Sequence, residues 1–139
     1  MKTLCVFEID GVLDVNRRAL TVARKVLHRL DHDTVFTTKN ISAAHAFLQE
    51  HLNISMFPRP APVFCCTTPA QHTSLFRTLL GQHHSIERLI CYSASQDTIN
   101  EYASMLQGRT HPRTHSFYLV SSKEILMAYS SAVYRQEPK

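Results

Sequence analysis

The chain has 139 residues, the usual size of one domain, which leaves no room for a second. Its 44% hydrophobic and 19% charged residues provide one sizeable core and exclude a disordered or fibrous protein. The formal charge of +4 is mild, and the basic run Arg17, Arg18, Arg24, Lys25 and Arg29 reads as a solvated helix surface because those positions do not share one face.

Apolar runs alternate with helical patterns from the start of the chain, which predicts an α/β fold with helices on the faces of a parallel sheet. Residues 3–9 (TLCVFEI) read as a buried strand, followed by a turn over 10–16. Ala19, Val22, Ala23, Val26, Leu27 and Leu30 recur at helical spacing behind an Asn16 cap, giving a helix over 17–30. Residues 34–37 are the second strand, and Ala44, Phe47, Leu48 and Leu52 mark the next helix.

The segment 53–62 holds Pro58, Pro60 and Pro62, so it is a rigid connection rather than a central element. A short strand over 63–66 and a helix over 69–80 follow, with Pro69 in the first turn and Gly81 as C-terminal cap. Residues 88–92 form the fourth strand, and Ile99, Tyr102, Ala103 and Leu106 the stripe of a helix opened by the capping spacing of Ser93 and Gln96. After a basic loop over 108–115 comes a fifth strand over 117–120. Ser121 and Glu124 then have capping spacing for a last helix through about Val133.

Cys5, Cys65, Cys66 and Cys91 each lie in a strand-like run and are expected to be buried free thiols, which fits a reducing compartment. No leader pattern opens the chain and no run nears the roughly 20 apolar residues of a membrane span, so an intracellular protein, cytoplasmic or nuclear, is expected. The sequons at Asn40 and Asn53 are then chance matches. His83 and His84 read as an exposed loop pair, and no HExxH or paired metal spacing occurs.

Ligands of such sheets bind beyond the carboxyl ends of the strands. There, Glu8 and Asp10 are two acids one residue apart followed by Gly11, a spacing able to aim carboxylates at one Mg²⁺. The same residues also suit a plain turn. Thr38 suits a helix entry, and Asp97 a first-turn acid favoured by the helix dipole.

VFEIDGVL resembles the first motif of the haloacid dehalogenase superfamily, an apolar strand followed by Asp-x-Asp-Gly. VFTTKN and LICYSASQD resemble its second and fourth motifs in order, over roughly residues 3 to 106. The resemblance implies a Rossmann-like three-layer α/β/α domain with about five parallel strands and Mg²⁺ as cofactor. It places Glu8 at the nucleophile, Asp10 at the general acid and base, and Thr38 at the phosphoryl-binding hydroxyl. Gly11, Thr38, Lys39 and His72 would line the phosphate, and Glu8, Asp10 and Asp97 would hold the metal.

The departures are Glu8 for Asp, Ser93 for the first acid of the fourth motif, and the absence of any Lys between Lys39 and Lys123, which leaves His72 or Arg77 as substitute. Together these imply a degenerate, phosphatase-like binding or regulatory protein retaining weak Mg²⁺ or phosphate binding. The alternatives are an active Mg²⁺-dependent phosphatase on a macromolecular phosphomonoester and a nucleotide- or RNA-end-binding module. The connections at 12–16 and 53–62 are too short for a lid. An open site, rimmed by Arg59 and the loop 109–115, suits a macromolecular partner over a small metabolite.

Overall fold

The apolar runs become the strands of one six-stranded sheet, and the helical patterns between them cover it. The computed structural model describes residues 2–132. In chain order these form β1 (Thr3–Glu8), α1 (Arg17–Leu27), β2 (His32–Thr38), α2 (Ile41–Leu52), β3 (Val63–Cys65), α3 (Pro69–Gln82), β4 (Arg88–Ser93), α4 (Gln96–Met105), β5 (Thr114–Val120) and β6 (Ile125–Ala132). The strand order is β3-β2-β1-β4-β5-β6. Each contact among β1 to β5 is parallel and β6 runs antiparallel to β5, so the protein is α/β with a mixed sheet.

Alternation along β1 sends Cys5 and Phe7 to one face and Leu4 and Val6 to the other, all at most 2% exposed. The first face packs against Ala19, Ala23 and Val26 of α1 and Ala44, Leu48 and Leu52 of α2. The second packs against Phe76, Leu79 and Leu80 of α3 and Ile99 and Tyr102 of α4. A strand buried on both faces shows no polar alternation, which is why TLCVFEI reads as continuously apolar. Phe36, Phe7, Tyr92 and Tyr118 stack in a row across β2, β1, β4 and β5, with successive ring centroids 6.0, 4.9 and 4.6 Å apart. Each such contact contributes about 0.5–1.5 kcal/mol beyond the burial itself, which helps hold the four strands in register.

Several elements differ from the sequence reading. The helix expected through 121–133 is instead the strand β6, with Val133 outside the described residues. Ser121 Oγ accepts from the Glu124 amide at 3.0 Å, and the Ser121 amide donates to the Glu124 carbonyl at 2.9 Å. A serine bonding an amide three residues on closes a turn as readily as it caps a helix, and β5 offers the following residues a ladder.

The first helix stops at Leu27, and Leu30 stands 85% exposed rather than in the core. Gly81 lies inside α3, whose cap is His83. The cap of α4 is Ser95, accepting from Thr98, because the Ser93 hydroxyl is engaged elsewhere. Cys65 is exposed, since β3 is a three-residue edge strand, whereas Cys5, Cys66 and Cys91 are buried. No helix among the described residues is long and apolar enough to cross a membrane.

Candidate functional site at the carboxyl edge

After β1 the chain turns sharply. Asp10 (φ −70°, ψ 121°) and Gly11 (φ 79°, ψ −1°) take the angles of a type II turn, which needs positive φ at its third residue. A β-carbon on Gly11 would also meet the Ala94 methyl at 3.2 Å, so glycine serves both the turn and the close approach to β4. The Gly11 amide donates to Asp14 Oδ1 at 2.8 Å and is not free to bind phosphate.

The turn delivers two carboxylates to the edge, and each meets a similar clamp. Glu8 lies between β2 and β4, where the chain order across the sheet reverses. Its Oε2 accepts from Ser93 Oγ at 2.6 Å and its Oε1 from the Ala94 amide at 3.1 Å. Asp10 is held the same way by the end of β2: Oδ1 accepts from Thr38 Oγ1 at 3.0 Å and Oδ2 from the Lys39 amide at 2.7 Å. Thr38 and Ser93 are each the last residue of a strand, both are buried, and each hydroxyl accepts from the amide two residues on, at Asn40 and Ser95. Asn40 and Ser95 in turn cap α2 and α4. Strand end, carboxylate clamp and helix cap thus form one hydrogen-bonded unit, present twice.

Glu8, Asp10, Thr37, Thr38, Lys39, Cys66 and His72 line a pocket of about 30 Å³ beside these clamps. That is the volume of about one water. Five of the expected site residues therefore converge: Glu8, Asp10, Thr38, Lys39 and His72. Arg77 is exposed and does not line the pocket, whereas His72 does, with Nδ1 3.1 Å from the Tyr102 hydroxyl. Burial holds His72 below the ordinary histidine range despite the Glu8 charge, which disfavours its role as a substitute for a permanently charged lysine. Burial likewise pushes the Cys66 thiol up to about 11, so it is no nucleophile at neutral pH. The Thr37 hydroxyl is buried with no partner in the wall of the pocket.

Asp97 lines a neighbouring cavity with His72 and Glu101, not this pocket. No group of three metal-ligating side chains occurs among the described residues. Glu8 and Asp10 each accept one hydrogen bond per carboxylate oxygen and keep lone pairs for an ion, but Asp97, the third acid that the resemblance implies, lies outside this pocket, so two of the three expected carboxylates meet here. Arg59 and the loop 109–115 do not rim the site. Arg59 bonds Asp33 and the carbonyls of Arg29 and Leu30 before β2, and Arg113 pairs with Glu87 before β4, both at the amino edge. Comparison with family models, curated proteins and solved structures found no match to this chain.

Proposed function

We propose that the chain is a haloacid dehalogenase-like domain, Rossmann-like and three-layered, that has lost phosphoryl transfer and acts as a binding or regulatory protein through its carboxyl edge. The fold half of this reading is supported by five parallel strands in the order β3-β2-β1-β4-β5 with helices on both faces.

The functional half rests on one observation: each oxygen of Glu8 and of Asp10 accepts a hydrogen bond from the protein itself, which fixes both head groups. A nucleophile needs a carboxylate oxygen aligned on phosphorus, whereas the extra methylene of Glu8 carries its head group onto Ser93 and Ala94, whose hydrogen bonds also draw charge from its oxygens. The electrostatics point the same way. Two carboxylates, one ammonium and a neutral histidine give the pocket a negative balance, opposed to a phosphoryl anion.

With no lid among the described residues, the carboxylates open directly to solvent, which favours a surface of another macromolecule over an enclosed metabolite as the ligand. The test is turnover of a generic phosphomonoester with and without Mg²⁺. The expected result is no hydrolysis above background. Robust Mg²⁺-dependent hydrolysis that Asp10→Asn abolishes would establish an active phosphatase and overturn the proposal.

A further inference from the structure

We infer that the partner of the carboxyl edge is a basic segment of another protein, one lysine of which sets its ammonium against Glu8, Asp10 and Thr37. The inference rests on the reading of this edge as a binding site and names the chemistry it would recognise. Two cavities adjoin there with His72 as a shared wall: the pocket of about 30 Å³ beside the clamps, and one of about 230 Å³ lined by Ser95, Asp97, Thr98 and Glu101. Four of the chain's eleven acids line them, against one of its fifteen Lys and Arg residues, Lys39. A chain of net charge +4 thus concentrates negative charge at this edge.

That charge is not neutralised from within. Glu8 and Asp10 accept only from neutral donors, two hydroxyls and two backbone amides. No Lys or Arg among the described residues pairs with Asp97 or Glu101. The N-termini of α2, α3 and α4 open at this edge with about half a positive charge each, and together with Lys39 they stay below four carboxylates.

Thr37 is an independent mark of a ligand. It is 1% exposed and lines the small pocket, yet its hydroxyl has no hydrogen-bond partner, a costly state for a buried polar group. An ammonium carries three donors and no acceptor, and the pocket offers three acceptors: the Thr37 oxygen and the lone pairs left on the two carboxylates. The pocket volume suits that compact head group better than a planar guanidinium. Asp97 and Glu101, one helical turn apart on α4, suit a second cationic side chain of the same segment in the larger cavity. Both cavities open to solvent, so the rest of the ligand lies outside them, as the backbone of a peptide would.

NMR titration of the isotope-labelled chain with a blocked peptide of alternating lysine and glycine tests this. The expected result is saturable binding at about millimolar peptide or below, with amide shifts at Glu8, Lys39 and Ala94, weakened by salt. The matching arginine and acetyl-lysine peptides should each bind at least about tenfold more weakly. So should the lysine peptide to Thr37→Val, which keeps the side-chain shape and removes the hydroxyl. Urea unfolding should find that variant at least as stable as the unaltered chain, because the oxygen removed has no protein partner. Equal binding of the arginine peptide, binding indifferent to Thr37→Val, spermidine binding as tightly as the peptide, or no binding of any peptide would each overturn the inference. The peptide comparison uses the unaltered chain and decides even if the variant folds poorly. Phosphomonoester hydrolysis would overturn the underlying reading of the edge, whereas absent peptide binding without hydrolysis overturns this inference alone.

Discussion

Shortening Glu8 by one methylene is the sharpest probe of the β1–β4 clamp. Glu8→Asp keeps the charge and gives the Asp-x-Asp-Gly pattern that this segment resembles, but draws the carboxylate back by about 1.5 Å, one carbon–carbon bond. The Ser93 contact, now 2.6 Å, then opens to roughly 4 Å, beyond hydrogen-bond reach, and the Ala94 contact with it. Two hydrogen bonds to a charged group are worth about 1.5–3 kcal/mol each. Part returns, because Glu8 is only half-buried and the Ser93 hydroxyl can turn to the Ser95 carbonyl at 3.4 Å.

The net loss is therefore about 1–3 kcal/mol, read as a lower urea midpoint at unchanged slope. Glu8→Gln keeps the length instead: its oxygen can accept from Ala94 while its amide donates to Ser93 Oγ. It should be the milder variant. If Asp proves milder than Gln, charge rather than reach governs position 8, and the clamp is not what holds Glu8.

Asn16→Ala should cost about 2–4 kcal/mol by the same urea assay, because the side chain caps α1 through Ala19 and also donates to the Ser121 and Glu124 carbonyls beneath the β5–β6 turn. A loss under about 0.5 kcal/mol would show that these bonds are readily replaced. Thiol titration of the folded chain should find one fast cysteine, Cys65. Cys5, pushed up to about 12 by burial, and the buried Cys66 and Cys91 should react only on unfolding. His72 titrates below its ordinary value, so the unfolded chain takes up the proton first. Its contribution is complete above about pH 6.5 and is lost as pH falls from there through the lower folded value. Replacing it by Gln should flatten the fall of stability with acid, and an unchanged slope would contradict its burial.

Much of the fold can be read directly from residue pattern. Strands covered on both faces, such as TLCVFEI and RLICY, stand out as unbroken apolar runs, and the helix stripes follow from their spacing. The last element cannot be read this way. Ser121 and Glu124 carry a spacing shared by helix caps and tight turns, and only pairing with β5, a contact distant from local sequence preference, decides between them.

At the site, Glu8, Asp10, Thr38, Lys39 and His72 converge as the motif order implies, because strand ends of a parallel sheet gather at one edge. Asp97 does not, since the helix it opens carries it past the pocket. The clamps escape a motif-based reading although they have a local signature: a hydroxyl residue two positions before a helix cap, in Thr38-Lys39-Asn40 and again in Ser93-Ala94-Ser95. Ser93 reads as a lost acid, whereas in the fold it is the donor that engages Glu8.

Whether the carboxyl edge supports phosphoryl chemistry is tested most directly by fluorine NMR of the chain with beryllium fluoride and Mg²⁺, a combination that mimics a phosphorylated carboxylate. With Glu8 and Asp10 both clamped, only the resonances of free fluoride and beryllium fluoride species should appear. A protein-bound resonance that disappears in Glu8→Gln would show a reactive carboxylate at the edge and contradict the account.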